Sequence, residues 1–83
     1  MAIKRRPRHS KEEFAKRGEE IFENEIRSKI HGHNPRHFLA IDIESGAYEI
    51  DANEMTACDR LEERVPDAQI WLRKVGSRFA RRF

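Results

Sequence analysis

The sequence lacks the features that stabilise secreted proteins and anchor membrane proteins. Its single cysteine, Cys58, cannot form an internal disulfide, which fits a reducing cytoplasm. No apolar run approaches the roughly 18 residues that a membrane span requires. The basic residues at the start of the chain are not followed by the apolar stretch of a secretory signal. We therefore expect a cytoplasmic protein that does not bind a membrane.

Motifs that carry catalytic chemistry are missing as well. The chain has no glycine-rich phosphate loop, no Ser/His/Asp order and no Cys-x-x-Cys pair. Paired carboxylates perform acid–base chemistry in a cleft, and a domain of this size offers little room for one. We interpret the acidic residues near the predicted hairpin as a solvated anionic face or an acidic docking patch: Asp42, Glu44, Glu49 and Asp51. No enzyme and no cofactor are expected.

Three histidines and the cysteine are the remaining candidates for metal or thiol chemistry. His31, His33 and His37 form an H-x-H-x3-H pattern that could share zinc or nickel. A fourth ligand at a recognisable spacing is not visible, so we expect no metal. Cys58 lies on the apolar face of a predicted helix among acidic neighbours, which favours a buried structural cysteine over a reactive thiol.

Charge is abundant and is segregated along the chain. Charged residues make up 39% and apolar residues 37% of the 83 residues, which allows one small domain with a thin core. The net charge is +5 over residues 1–17, −7 over 18–64 and +4 over 65–83. Either the cationic ends fold back over the acidic middle or are simply solvated, or one of them meets nucleic acid or an acidic protein surface.

A basic arm and a long helix are predicted for the first third of the chain. Residues 1–9 contain Pro7 and few apolar residues, which indicates a flexible arm. Ser10 and Glu13 form a capping box that opens a helix over residues 11–31. An apolar row of multiples of four follows (Phe14, Phe22, Ile26 and Ile30), with Gly18 in the same row. Gly32 and Pro35 end the helix.

The rest of the chain predicts two hairpins around a second helix. Residues 38–44 alternate apolar and small or acidic side chains, residues 47–50 return after a turn at Ser45-Gly46, and Asp51 caps a helix over 52–65. Residues 69–75 and 78–83 give two further strands, joined by a turn at Gly76-Ser77. In this reading Asp42 and Glu44 point to water, and Trp71 faces either outward or under the first helix.

These elements predict a single α+β domain over residues 10–83. A long N-terminal helix precedes a β-β-α-β-β order, with a small, four-stranded, mainly antiparallel sheet and helices packed on one face. The predicted core consists of Phe22, Ile26, Leu39, Ile41, Ile43, Met55, Leu61, Ile70 and Leu72.

The second half of the chain resembles a known group of proteins. The resemblance is carried by four segments: residues 40–51, Asp59-Arg60-Leu61, residues 66–71 and Arg73-Lys74-Val75-Gly76. The family consists of short, uncharacterised bacterial proteins, frequent in cyanobacteria and often encoded beside a small retropepsin-like aspartic protease. The resemblance implies an antitoxin-like or accessory role beside a partner protein and suggests that a neighbouring gene encodes this partner. It transfers no catalytic or binding residue.

Two sets of residues are candidates for binding. Basic residues at the two ends could contact nucleic acid, the last three of them interleaved with Phe79 and Phe83: Lys4, Arg5, Arg6, Arg8, Arg78, Arg81 and Arg82. The simpler interpretation is that these phenylalanines belong to the core and the arginines to the wet face. Phe14, Phe22 and Trp71 are the candidates for contact with a protein partner.

The leading functional hypothesis is a non-enzymatic interaction or regulatory protein that binds a partner protein. An amphipathic first helix and exposed sheet edges are suited to such binding, and the edges also allow a homodimer. The alternative is a small nucleic-acid-binding protein that uses the basic arm and the arginine-rich last strand. An open apolar helix face would favour the first hypothesis, and a contiguous positive face the second.

Overall fold

The computed structural model describes residues 9–76 and 80–82, the last three by their backbone. It confirms an α+β fold of helices and an antiparallel sheet. The elements in chain order are α1 (Lys11–Ile21), a π-helical segment (Phe22–Ile26), β1 (Phe38–Asp42), β2 (Tyr48–Asp51), α2 (Glu54–Arg64), β3 (Ile70–Lys74) and β4 (Ala80–Arg82).

The sheet is antiparallel throughout, with the strand order β2-β1-β3-β4. Strand β1 lies inside the sheet, and its Ala40 is level with Glu49 of β2 and Leu72 of β3. The backbone of β4 pairs with β3, so that Ala80 is level with Arg73. Strand β3, which is paired with β1, carries the residues that form one wall of the candidate groove.

The two helices lie on opposite faces of the sheet, so the prediction that they share one face is wrong. Ile41 and Trp71 belong to the buried cluster under α1 and the π-helical segment. Ala40 and Leu72, which point the other way in a pleated strand, pack with α2. Strands β1 and β3 are therefore covered on both sides.

The cluster under α2 is built largely from small side chains. Its buried members are Ala40, Ala57, Cys58, Leu61, Ala68, Ile70 and Leu72. Small residues let the helix approach the sheet closely, which explains why this face shows little apolar bulk in the sequence. Cys58 is fully buried here, as its place on the apolar helix face predicted.

The first helix is shorter as an α-helix than predicted. Ser10 caps it, since its hydroxyl accepts a hydrogen bond from the Glu13 backbone N–H (3.1 Å). Regular α-helical bonding ends at Ile21, and a π-helical segment and turns follow. In an α-helix, residues four positions apart are offset by about 40° around the helix axis, so a row of such residues drifts off the buried face. The wider i→i+5 turn offsets that drift, which keeps Phe22 and Ile26 directed at the sheet.

Three local predictions on the second half are wrong. Asp42 is only 2% exposed and does not face water, because its carboxylate accepts hydrogen bonds from the backbone N–H groups of Ser45 (3.1 Å) and Gln69 (2.9 Å). Asn53, rather than Asp51, caps α2. Met55 is 51% exposed and is therefore not a core residue. The other predicted core residues are buried: Phe22, Ile26, Leu39, Ile41, Ile43, Leu61, Ile70 and Leu72.

Within residues 9–76 and 80–82, no helix combines the length and apolar character that crossing a bilayer requires.

Candidate ligand-binding groove beside Arg73

The basic residues proposed for nucleic-acid contact fall where the structure gives no side chains. Lys4, Arg5, Arg6, Arg8 and Arg78 lie outside the described residues, and Arg81 and Arg82 are described by their backbone in β4. The contiguous positive face that would favour nucleic-acid binding is therefore not defined by the described part of the chain.

The three residues predicted to contact a protein partner lie in the interior. Phe14, Phe22 and Trp71 are 3%, 4% and 2% exposed, because α1 lays its apolar row directly on the sheet. This corrects the expectation that they form a binding surface. Among residues 9–76, Met55 is the large hydrophobic residue that is exposed to solvent. No helix in this part of the chain therefore presents a broad apolar face to solvent.

The three histidines and the acidic residues near the hairpin were the other candidate sites. His31 and His33 are exposed and His37 is half-buried. No group of three or more His, Cys, Asp or Glu side chains that could hold a metal occurs among the described residues. Two of the acidic residues near the hairpin form ion pairs with arginines of α2: Glu49 with Arg64 (2.9 Å) and Asp51 with Arg60 (3.3 Å).

A groove of about 590 Å³ opens where α1 and the turns after it meet the end of β3. The π-helical segment supplies Phe22 and Glu23 to one wall, and the following turns supply Arg27, Ile30, His31 and His33. The end of β3 and the turn after it supply Arg73, Val75 and Gly76. Two backbone hydrogen bonds fix this second wall: Val75 N–H donates to the carbonyl of His37 (2.9 Å), and Gly76 N–H to that of Pro35 (3.0 Å).

Arg73 lies at the base of this groove and is only 9% exposed. Its guanidinium carbon is 4.0 Å from the centroid of the Phe22 ring and 5.6 Å from that of Trp71. Within residues 9–76 its hydrogen bond runs from Nε to the backbone oxygen of Lys74 (3.2 Å). No acceptor in that range bonds the two terminal nitrogens. Arg73 is thus a largely buried residue whose guanidinium packs on the Phe22 ring and whose two terminal nitrogens have no protein acceptor among residues 9–76.

Burial lowers the pKa of Arg73 below its ordinary value, because the charged form loses hydration. The charges of Glu19 and Glu23 act in the opposite sense and Arg27 adds to the lowering. Glu23 is held by Arg27 at 2.7 Å and is not within ion-pair distance of Arg73. The buried cation is therefore compensated at a distance and not by direct contact.

Sequence reasoning did not single out Arg73. It counted as one of five basic residues in the cationic C-terminal stretch and as part of a strand. The available signal was its phase: Arg73 is two residues after Trp71 and so lies on the same face of β3. Once α1 covers that face, an arginine there must be buried or lie at the margin of the helix.

No family model, curated protein or solved structure matches this chain. The resemblance to the short bacterial family therefore stays a prediction, and the groove is the feature that suggests a function.

Proposed function

We propose that the protein is a non-enzymatic interaction protein that binds a segment of a partner protein in the groove beside Arg73. The observation that carries this proposal is the largely buried Arg73, which lines the groove and whose terminal donors have no protein acceptor among residues 9–76. Desolvating an arginine without pairing it costs free energy, so a sequence has a reason to keep it where a ligand completes its hydrogen bonds.

The character of the groove supports a chain segment over a compact organic ligand. Its volume of about 590 Å³ lies within the range of ordinary binding pockets. Small-molecule sites, however, are mostly apolar, whereas this groove is lined largely by charged and polar side chains on surface turns. An extended polar segment suits such a surface.

The described lining also offers little for covalent catalysis. It includes no Ser, Thr, Cys or Lys side chain that could serve as a nucleophile. Glu19, Glu23, His31 and His33 are acid–base groups in the lining, and Glu23 is engaged by Arg27 at 2.7 Å. The missing hydroxyl, thiol and amine nucleophiles make binding better supported than covalent catalysis.

Strand addition at the β2 edge is less well supported than binding in the groove. Arg64, on α2, donates a hydrogen bond from Nη2 to the backbone oxygen of Tyr48 (2.8 Å) and pairs with Glu49 (2.9 Å). A charged side chain that occupies a backbone acceptor of an edge strand hinders pairing with another strand. We therefore do not base the homodimer expectation on this edge.

Site-specific photo-crosslinking tests the proposal. A benzophenone side chain placed at His31, on the groove, should give a defined adduct with one protein in cells that encode the partner. The matched control carries the same group at Met55, which is exposed on α2 at the other face. Adding Arg73→Lys should abolish the His31 adduct. Equal adducts from both positions, or an adduct that survives Arg73→Lys, would contradict the proposal.

The second candidate function, nucleic-acid binding, is favoured by the net charges of +5 and +4 at the two ends of the sequence. If the arm contacts phosphates, replacing Arg5, Arg6 and Arg8 by Ala should reduce the slope of log affinity against log salt by up to about three units, at about 0.9 per contact. A filter-binding titration over a range of salt concentrations measures this. Absence of affinity at the lowest salt removes this candidate.

A further inference from the structure

We infer that the group of the partner that Arg73 receives is the side-chain carboxylate of a glutamate or aspartate. This inference rests on the proposed function, since it specifies what the bound segment presents to the groove.

The geometry of Arg73 favours an acceptor that places two oxygens in the plane of the guanidinium. Phe22 stacks on the face of that group, with its ring centroid 4.0 Å from the guanidinium carbon. Stacking leaves the donors along the edge free, and Nε is already bonded to the carbonyl of Lys74. A carboxylate matches the remaining pair of terminal nitrogens by two parallel N–H···O bonds.

The charge of the groove selects a monoanion over a phosphate dianion. Glu19 and Glu23 line the same groove as Arg27 and Arg73, so its formal charge is zero with neutral histidines. One bidentate pair with Arg73 balances a single negative charge. The second charge of a dianion would find no unpaired cation in the described lining, because Arg27 is already paired with Glu23 at 2.7 Å.

The backbone of the groove argues for a side-chain carboxylate over a chain terminus. Terminal carboxylates are usually captured by clusters of free backbone N–H groups. Here the N–H groups of His33, Val75 and Gly76 donate to the carbonyls of Ile30, His37 and Pro35, at 2.9, 2.9 and 3.0 Å. On the wall formed by the end of β3, next to Arg73, a chain terminus therefore finds the N–H groups of Val75 and Gly76 already bonded, whereas a glutamate or aspartate side chain can extend from a segment lying across the groove to Arg73.

Four capped amino acids make a matched set of probes. N-acetyl-glutamate amide carries only a side-chain carboxylate, and N-acetyl-glutamine amide has the same shape without the charge. N-acetyl-alanine carries only a terminal carboxylate, and N-acetyl-phosphoserine amide carries a dianion at pH 8. Binding is read from the Nε–Hε resonance of Arg73 in a ¹H–¹⁵N spectrum and from the fluorescence of Trp71, the single tryptophan.

The glutamate probe should shift both signals saturably, with a dissociation constant on the order of 10 mM because so small a ligand gains little affinity. The glutamine probe should have no effect, and the terminal carboxylate and the phosphoserine should bind several-fold more weakly. Arg73→Lys should abolish the response, whereas Arg60→Lys, on the other face, should leave it unchanged. Glu19→Gln should strengthen phosphoserine binding more than glutamate binding, by on the order of threefold for one unit charge across a hydrated groove.

Each failure has a distinct meaning. No saturable response to the glutamate probe in the wild-type protein, or a stronger response to phosphoserine, overturns the inference even if crosslinking at His31 succeeds. A response with no crosslinked partner overturns the proposed function and leaves the anion site. Far-UV circular dichroism of Arg73→Lys shows whether that variant folds, and the wild-type titration decides the inference if it does not.

Discussion

Replacing Gly18 by alanine should destabilise the protein, although alanine is the better helix former. A methyl group added at Gly18 would be 2.4 Å from two ring carbons of Trp71 and 2.6 Å from a third. Carbon atoms in contact are normally about 3.5–4.0 Å apart, so α1 or the indole must move by about 1 Å. The ring is 2% exposed and is packed against Phe22, with ring centroids 6.3 Å apart, which leaves it little freedom to move.

The magnitude follows from two opposing effects. Overpacking of this kind costs typically 1–3 kcal/mol, and a full ångström of displacement belongs at the upper end, about 3 kcal/mol. The gain in helix propensity from glycine to alanine offsets about 1 kcal/mol of this. The expected net loss is about 2 kcal/mol, a large share of the stability of a small domain.

Urea denaturation followed by circular dichroism at 222 nm measures this loss. Ala15→Gly, at an exposed position of the same helix, is the control for propensity and should cost about 1 kcal/mol. Trp71→Leu combined with Gly18→Ala should lose less stability than the sum of the single changes, because the smaller side chain relieves the clash. If the Gly18→Ala protein is more stable than wild type by about 1 kcal/mol, helix propensity alone determines the effect. That result would refute the close packing of Gly18 against Trp71.

Two further predictions concern the face under α2 and the turn after β1. Leu61→Ala should cost about 2–4 kcal/mol in unfolding free energy because Leu61 is fully buried, whereas Met55→Ala, at a 51% exposed position, should cost less than about 0.5 kcal/mol. A similar loss for both would mean that the helix face is misassigned. Asp42→Ala should cost about 2–4 kcal/mol, because it leaves buried backbone N–H groups without their charged acceptor. Asp51→Ala, at a half-buried position, should cost about 1 kcal/mol, and an equal effect of the two changes in thermal denaturation would contradict this account of the turn.

In the first helix, the periodicity of apolar residues predicted the buried face but not the π-helical segment. The row at positions 14, 18, 22, 26 and 30 predicted correctly which face is buried. Its period of four, rather than 3.6, also carried the signal for the π-helical segment, because a regular α-helix would rotate Ile30 away from Phe14 by about 160°. The prediction of one continuous helix over 11–31 overlooked that mismatch.

The second face of the sheet was missed because its side chains are small. Ala40 and Ala68 contribute little to a hydrophobic pattern, yet both are fully buried against or beside α2. Alternation of large apolar and small residues in β1 resembles one buried and one solvated face. Only the packing of a second helix distinguishes a covered alanine from an exposed one.

The candidate site could not be predicted from the sequence. Arg73 acquires its significance from Phe22, about 50 residues earlier in the chain, and from the turns that close the groove. No local motif encodes the meeting of these elements. Phe14, Phe22 and Trp71 were attractive as surface anchors by residue type, but it is their burial that shapes the wall on which Arg73 stacks.

If Arg73 is kept for binding and contributes little to folding, as we propose, then Arg73→Met should leave the unfolding free energy almost unchanged. Methionine retains an unbranched apolar stem against Phe22 and removes the buried charge, whose cost offsets the stacking and the Lys74 hydrogen bond. We expect a free energy of unfolding within about 1 kcal/mol of the wild-type value, or higher. A loss of about 3 kcal/mol or more, the usual result of breaking a satisfied buried ion pair, would show that the guanidinium is a structural group and would contradict the assignment of the groove.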